Sequence, residues 1–281
     1  MLLKDFLPGP SIAEFVQCYR IVHFEFDNAS QIPCKWYPPK PEICLYFPLR
    51  DNLRIELNNA TPEEYGRPMV LGQQTTISKR HLKRCYLNFQ IVFQPAGFFR
   101  LTGISPVEVT NRLVDATQIF SPDILLVQEQ LQHCKNYREM IVIASAFSTK
   151  LIKNVRKDFQ HLDTVSKLMM QSGRTMNLDW LAKESCLCSK QFKRKFNERV
   201  GVNPKLYARI IRFTQAFNTK NAHPDWDWLR IAINCNYFDY QHLAKDYKEF
   251  TSLPPVAFHL LESNSPETML GLSQGFYQSR I

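Results

Sequence analysis

Three basic side chains, Lys190, Lys193 and Arg194, fall on one face of a short amphipathic segment in the last third of this 281-residue chain. Phe192 and Phe196 recur at helical spacing, and this predicts a helix whose basic face points away from the core. Near the start of a helix in a major groove, such side chains can pair with guanine acceptors. The segment therefore has the chemistry to contact duplex DNA, although a solvated charged face would have the same pattern in isolation.

A second segment about fifty residues later has the same character. Leu243 and Tyr247 are predicted to face inward, and Asp239 is placed to cap the helix that carries them. The positions left outside are Tyr240, Gln241, Ala244 and Lys245. Glutamine can pair with adenine and alanine can pack on a thymine methyl, so this face also fits base edges.

The elements that must position these side chains are two helix-turn-helix units, residues 181–196 and 231–247. The small residues Ala182 and Ala232 allow two helices to cross closely in each unit. Asn236 suits the left-handed backbone that a tight turn needs. Either unit alone would be explained equally well as a fragment of a helical bundle, whereas two units in one frame favour DNA binding.

A long apolar helix is predicted to join the two units. Residues 203–217 begin with Pro204 at a first-turn position and continue with an apolar stripe. The stripe consists of Leu206, Tyr207, Ile210, Ile211, Phe213 and Phe217. A stiff connector would hold both recognition helices at a fixed separation, and equivalent major-groove faces recur about every 34 Å along duplex DNA.

Residues 159–261 resemble the DNA-binding domain of the arabinose-regulator (AraC/XylS-type) transcription factors. The most specific matching stretches are Leu181-Ala182, residues 192–196, Gly201-Val202-Asn203-Pro204, residues 236–243 and residues 250–255. The resemblance implies a bacterial one-component regulator with two helix-turn-helix units and a linking helix, which binds promoter DNA. It also places Tyr240, Gln241, Ala244 and Lys245 at the family's base-reading positions.

Four residues depart from the family pattern. Cys186 and Asn236 stand at positions where the family usually has a turn glycine, and Ser252 replaces a further glycine. Cys188 stands where the family usually has a serine cap. Asparagine tolerates positive φ well, so Cys186 is the substitution that puts the tightness of the first turn in question.

Charge is distributed unevenly between the two units. Residues 190–212 carry eight basic residues and one acid, Glu198, which gives +7, whereas residues 239–249 carry two basic and three acidic residues, which gives −1. The eight basic residues are Lys190, Lys193, Arg194, Lys195, Arg199, Lys205, Arg209 and Arg212. We therefore expect the first unit to supply most of the attraction to phosphates and the second to refine placement.

The amino-terminal part is predicted to be rich in β-structure. Aromatic and β-branched runs at residues 20–26, 42–47, 53–57 and 86–93 are separated by Pro, Asn and Gly, as in a sheet domain that could close into a barrel. Residues 120–153 then show helical periodicity. The predicted fold class is α+β, with an all-α carboxy-terminal domain. The predicted domains are residues 1–118 (β-rich sensor), 119–157 (helical dimerisation element), 158–262 (double helix-turn-helix) and 263–281 (tail).

Two roles for the amino-terminal part remain open. Many members of the resembling family carry a sensor barrel and a dimerisation helix here, which implies a small-molecule effector of unknown identity. Alternatively, the domain only dimerises or docks a protein partner such as RNA polymerase. If a pocket exists, the polar and aromatic residues beside the strand runs that could line it are Arg20, His23, Trp36, Tyr37, Glu42 and Arg80.

Composition narrows the classes of protein to which this chain can belong. A net charge of +9 and a pI near 9.1 fit a polyanionic partner. The eight cysteines lack the paired spacing of a zinc site, and the seven histidines form no metal-binding motif. We expect no enzymatic activity, no metal and no cofactor. No apolar stretch is long enough to span a membrane and no signal peptide is evident, so we expect a cytoplasmic protein.

Overall fold

A computed structural model of the chain describes residues 1–28, 32–57, 60–172 and 177–279. Its amino-terminal part contains ten strands. They are β1 (Leu2–Phe6), β2 (Val16–Glu25), β3 (Lys35–Tyr37), β4 (Cys44–Pro48), β5 (Leu53–Leu57), β6 (Glu63–Tyr65), β7 (Met69–Leu71), β8 (Ser78–His81), β9 (Cys85–Phe93) and β10 (Leu113–Asp115).

The strands form two antiparallel sheets. The larger has the order β1-β2-β9-β4-β7-β10 and the smaller has the order β3-β8-β5-β6. Alternation along β2 explains how they pack, since Cys18, Val22 and Phe24 lie in the core shared with the smaller sheet, whereas Tyr19 and Ile21 lie in a second core. The four predicted β runs are confirmed as strands, and the β-rich domain consists of two facing sheets.

Three helices cover the outer face of the larger sheet. They are α1 (Gly97–Thr102), α2 (Ile124–Gln132) and α3 (Tyr137–Ile152), and the last two confirm the helical element expected between residues 120 and 153. Ile124 and Leu131 of α2 and Met140 of α3 are buried in the core that contains Tyr19 and Ile21. The larger sheet is therefore apolar on both faces, and it packs against the smaller sheet on one face and against helices on the other.

The carboxy-terminal part is all-α, as predicted. Its helices are α4 (His161–Ser172), α5 (Leu178–Glu184), α6 (Ser189–Val200), α7 (Pro204–Ala222), α8 (Trp228–Asn234), α9 (Tyr240–Thr251), α10 (Pro255–Glu262), α11 (Pro266–Met269) and α12 (Ser273–Gln278). In the described part of the chain, no helix is both long and apolar enough to cross a membrane.

The two parts are in contact at several places: Tyr207 and Thr214 of α7 donate hydrogen bonds to the carbonyl oxygens of Pro41 and Pro39, and two further contacts involve the end of α6 and the segment after α10. At the first, Ser105 and Thr110 donate hydrogen bonds to the carbonyl oxygens of Glu198 and Gly201, at 2.9 and 3.0 Å, which joins the end of α6 to the amino-terminal part.

At the second, the ammonium of Lys35 in β3 lies 2.5 Å from a carboxylate oxygen of Glu262 and 2.6 Å from one of Glu267. Tyr277 of α12 packs edge-on against Phe217 of α7 at 5.5 Å between ring centroids. The segment after α10 therefore packs into the boundary between the two parts.

Candidate nucleic-acid interface

The turns of the two helix-turn-helix units have the same backbone geometry. Cys186 and Asn236 both adopt left-handed conformations, with φ of 55° and 60°. In each unit the amide of the next residue donates a hydrogen bond back to the carbonyl of the alanine in the first helix. The distance is 3.0 Å from Leu187 to Ala182 and 2.9 Å from Tyr237 to Ala232. Cys186 thus forms the tight turn without a glycine, against a cost of about 1–2 kcal/mol for a residue with a Cβ atom.

The two units share one frame only as far as the turn, because the second connection is one residue longer than the first. Helix α6 begins seven residues after Ala182, whereas α9 begins eight residues after Ala232. The additional residue is Phe238, which stands between the turn and the cap of α9 with 88% of its surface exposed. Phe238 was not among the predicted contact residues, although an aromatic residue between a turn and a capping aspartate can be recognised in the sequence as a candidate for exposure.

Capping differs between α6 and α9, the second helices of the two units. Asp239 accepts a hydrogen bond from the His242 amide at 2.8 Å, which confirms its predicted role as the cap of α9. Cys188 at the start of α6 makes no side-chain cap. Instead, Ser189 donates a hydrogen bond to Asp179 of α5 at 2.6 Å, which ties the start of α6 to the preceding helix.

Helix α7 is shared by the cores of both units. Its residues Tyr207 and Ile211 are buried with Phe192 and Phe196 of the first unit. Two neighbouring residues of the same helix, Ile210 and Phe213, are buried with Leu243 and Tyr247 of the second unit. The predicted apolar stripe is therefore two adjacent stripes, and the orientation of α6 relative to α9 is set by one continuous helix.

Most of the predicted contact residues lie on the outer faces of α6 and α9. Lys190, Lys193 and Arg194 on α6 and Gln241 and Lys245 on α9 are exposed. Ala244 and Tyr240 are half-buried, and Tyr240 packs against the core of the second unit. Within the described residues, none of the four cations in this set forms an ion pair with a carboxylate, so their charge is directed to solvent.

Three of the eight basic residues counted in the first unit form ion pairs within the protein. The predicted difference in charge between the two units is therefore too large. Arg199 is buried against Asp163 with contacts of 2.6 and 2.7 Å. Arg209 and Arg212 pair with Asp246 of α9 at 2.7 and 3.1 Å, and Arg209 also pairs with Glu249.

The basic residues left for an external polyanion are Lys190, Lys193, Arg194, Lys195 and Lys205 in the first unit, and Lys245 and Lys248 in the second. The acidic residue that reduces this positive charge is Glu198 in the first unit and Asp239 in the second. Asp246 and Glu249 do not reduce it, because arginines of α7 neutralise them. The first unit is still the more positive, but the second is positive as well.

The six polar or aromatic residues proposed to line an amino-terminal pocket do not gather around one cavity. Arg20 is buried between Asp5 and Glu42, at 2.8 Å from each. The guanidinium of Arg80 lies 3.6 Å from the ring centroid of Tyr37. His23 faces α3 on the opposite side of the larger sheet.

The cavities beside these side chains are small. One is lined by Tyr37, Glu42 and Arg80 and holds about 20 Å³, and one lined by Arg20 and Tyr37 holds about 10 Å³. That is room for about one water molecule. A groove of about 1090 Å³ instead lies along α2 and α3, bordered by Leu126, Val142 and Arg156.

Comparison with known proteins shows the fold but no characterised family. Residues 4–115 match the sequence model of a domain of unknown function (DUF6597). No curated protein matches the chain.

Among solved structures, the chain is similar to ToxT from Vibrio cholerae bound to (E)-4-(8-methylnaphthalen-1-yl)but-3-enoic acid, with 12% identity and a TM-score of 0.50. That match covers 86% of this chain and 98% of ToxT. A 1.65 Å structure of ToxT has 14% identity, a TM-score of 0.48 and the same coverage. A ToxT structure with a bound unsaturated fatty acid has 11% identity and a TM-score of 0.49, and covers 86% of this chain and 95% of ToxT. At these identities the likeness concerns the overall fold.

Proposed function

We propose that this chain is a sequence-specific DNA-binding transcriptional regulator of the AraC/XylS type, acting in the bacterial cytoplasm. The observation that carries the proposal is the pair of helix-turn-helix units with matching turns, built on the single helix α7. A rigid pair of recognition helices fits two successive major grooves of one duplex. The unpaired cations on both outer faces supply the attraction to phosphates.

Within this proposal the exposed side chains have different roles. Lys190, Lys193 and Arg194 contact guanine edges and phosphates from α6, because they stand at the amino-terminal half of the helix and are unpaired. Gln241 and Lys245 contact bases from α9, Ala244 packs on a thymine methyl, and the half-buried Tyr240 contacts the duplex with its outer edge.

The test begins with selection of bound duplexes from a random library, followed by fluorescence-anisotropy titration of the best sequence and a scrambled one over a range of salt. The wild-type chain is expected to prefer the selected duplex and to show a steep salt dependence. Arg194→Ala should cost about 1–3 kcal/mol of discrimination if the guanidinium reads a guanine. Lys193→Ala should reduce affinity more than Lys245→Ala, because α6 has the larger cluster of unpaired cations.

Arg54→Ala is a matched control, since Arg54 is an exposed arginine on β5 of the smaller sheet, outside both helix-turn-helix units and outside α2 and α3. It removes the same charge and should leave the preference unchanged. Failure to enrich any sequence, or equal losses in Arg54→Ala and Arg194→Ala, would contradict specific readout and leave only general attraction between a basic protein and DNA.

For the amino-terminal domain we propose control of DNA binding by a small molecule, and the contacts of Ser105 and Thr110 with the end of α6 give a direct route for it. A protein of this fold binds an aryl-substituted butenoic acid, so apolar carboxylic acids are the first class to test. A true effector raises the thermal midpoint. At a ligand concentration of one hundred times Kd, the free energy of unfolding increases by about 2.7 kcal/mol. No shift with any member of a broad panel would favour the alternative, a domain that only dimerises or docks a partner such as RNA polymerase.

We also propose that α2 and α3 form a homodimer contact. Leu126 and Val142, which border the groove, are 58% and 63% exposed, and apolar surface of this kind is typical of an interface. Sedimentation should show a dimer that Val142→Glu disrupts, and a monomer alone at tens of micromolar would remove this proposal.

A further inference from the structure

Three potential metal ligands lie together on the outer face of the larger sheet, outside every site described above. Donor atoms of His23, Glu25 and Cys85 all lie within 4.8 Å of one another. The register of β2 and β9 explains this, because Glu25 pairs directly with Cys85, and His23 is on the same face of β2 two residues earlier. Cys85 lies 60 residues after Glu25 and 62 residues after His23, so no local motif reveals the cluster.

The separations suit one small cation. The imidazole Nε2 of His23 lies 3.1 Å from a carboxylate oxygen of Glu25, and the Cys85 sulfur lies 3.9 Å from that same oxygen. Zn²⁺ takes imidazole, thiolate and carboxylate ligands at about 2.0–2.3 Å in a tetrahedron, and sites with three protein ligands keep a fourth position for water or another ligand. Glu25 is half exposed, so an ion can enter from solvent.

The histidine is already held in place by a neighbour behind it. The Nδ1 atom of His23 lies 2.7 Å from the hydroxyl of Tyr137 at the start of α3. Metal-binding histidines usually donate their second N–H to a carboxylate, a backbone carbonyl or water, which fixes the ring orientation, and a tyrosine hydroxyl oxygen can accept the same hydrogen bond. Without a metal, Nε2–H donates to the Glu25 carboxylate; with the proton on Nδ1 and donated to the tyrosine oxygen, the Nε2 lone pair is left for an ion.

The cluster already contacts a positively charged side chain of the protein, that of Arg50. One guanidinium nitrogen of Arg50 lies 2.8 Å from Glu25 and 2.8 Å from the Cys85 sulfur. Arg50 is half exposed, so its side chain can move into solvent without losing a core contact. A thiolate and a carboxylate together balance the two charges of Zn²⁺, which makes the arginine unnecessary once the ion is bound.

We propose that His23, Glu25 and Cys85 form a zinc-binding site in which Zn²⁺ displaces the guanidinium of Arg50. Binding releases the thiol proton of Cys85 and replaces the Nε2 contact of His23 with Glu25 by a bond to the metal. Because Tyr137 begins α3, the site connects the sheet to the helical element. The binding step is independent of DNA recognition, so it stands or fails separately from the proposed function.

The test is a Zn²⁺ titration of the full chain in competition with a chromophoric chelator. Cys186→Ser and Cys188→Ser are introduced first, because these two exposed thiols could bind zinc by themselves. In that background we expect one Zn²⁺ per chain, with at least about tenfold weaker binding in His23→Gln and Cys85→Ser, and about 10–100-fold weaker binding in Tyr137→Phe. Cys134→Ser, which changes a half-buried thiol elsewhere, is the matched control and should bind like its parent.

Arg50→Gln should bind Zn²⁺ more tightly than its parent, a gain that misfolding cannot produce. Co²⁺ in place of Zn²⁺ should give thiolate-to-metal charge-transfer absorption that disappears in Cys85→Ser. Absence of stoichiometric binding in the parent, or binding that survives both Cys85→Ser and His23→Gln, would overturn the proposal. Unchanged or weaker binding in Arg50→Gln would show that the guanidinium does not compete for the site.

Discussion

At the scale of single residues, two cysteines near the first turn have different structural roles. Cys186 adopts a φ of 55°, in the left-handed region, whereas Cys188 has an extended backbone with φ of −72°. The turn needs the left-handed residue because the Leu187 amide must return to the Ala182 carbonyl. Only the first cysteine therefore stands where a glycine would suit the backbone better.

We expect Cys186→Gly to stabilise the protein. Relief of the left-handed penalty, about 1–2 kcal/mol, exceeds the entropic cost of a glycine in the unfolded chain, about 0.5–1 kcal/mol, so the net gain should be up to about 1 kcal/mol. Thermal unfolding of the two single variants measures this. Cys186→Ala is the control at the same position and should give no such gain, because alanine removes the thiol but keeps the Cβ atom that the left-handed conformation penalises. Equal changes of stability in Cys186→Gly and Cys186→Ala would contradict this account of the turn.

At the scale of elements, α7 and α9 are joined by a carboxylate that serves three partners. Asp246 is buried and accepts hydrogen bonds from Arg209, Arg212 and the hydroxyl of Tyr237. Its neighbour Glu249 contacts Arg209 as well, but from a position half exposed to water. The arginines of α7 thus fix the position of α9 and are not free for an external polyanion.

Asp246→Asn should therefore destabilise the carboxy-terminal domain. Removal of one member of a buried ion pair costs about 3–5 kcal/mol, and we expect roughly 2–3 kcal/mol here because both guanidinium groups keep some water. Urea unfolding followed by circular dichroism gives the value. Glu249→Gln removes an exposed partner of the same arginine and should cost less than about 1 kcal/mol. Similar losses in both variants would show that burial does not distinguish the two carboxylates.

At the scale of the whole molecule, the amino-terminal sheet and the carboxy-terminal helices share a buried charge cluster. One ammonium, that of Lys35, faces the two carboxylates of Glu262 and Glu267, and the hydroxyl of Tyr277 donates to Glu267 at 3.2 Å. Burial raises the pKa of Glu262 to about 7, whereas the attraction of Lys35 outweighs burial at Glu267 and lowers the pKa of that group. The boundary between the two parts therefore holds a proton near neutral pH.

This proton makes stability depend on pH. The folded-state pKa of Glu262 lies above its ordinary value of 4.5, so its contribution is fully present below about that pH and is lost as pH rises through about 7. The lowered pKa of Glu267 acts in the opposite direction, but only below its ordinary value. We expect the wild-type chain to lose on the order of 3 kcal/mol relative to Glu262→Gln between about pH 5 and about pH 8.

Thermal midpoints of the two proteins across this range provide the measurement. The lowered pKa values of His23 and His259 affect both proteins alike and cancel in the difference. A difference that does not change with pH would show that Glu262 does not carry the proton.

The sequence by itself determined the features that depend on local periodicity and turn chemistry. Both helix-turn-helix units, the linking helix α7 and the four β runs could be predicted because each repeats an apolar pattern along the chain. The cap at Asp239 could be predicted because an aspartate directly before such a helix is a local signal. The strands of three residues, such as β3 and β10, are too short to show a period.

Tertiary structure alone decided which charges remain available and which distant residues meet. Arg199, Arg209 and Arg212 were counted as attracting phosphates because a sequence count cannot see Asp163 or Asp246 across the fold. The cluster of His23, Glu25 and Cys85 depends on the register of β2 against β9, which is set by packing between strands far apart in the chain. Charge pairing and strand register are long-range properties, and a linear pattern does not encode them locally.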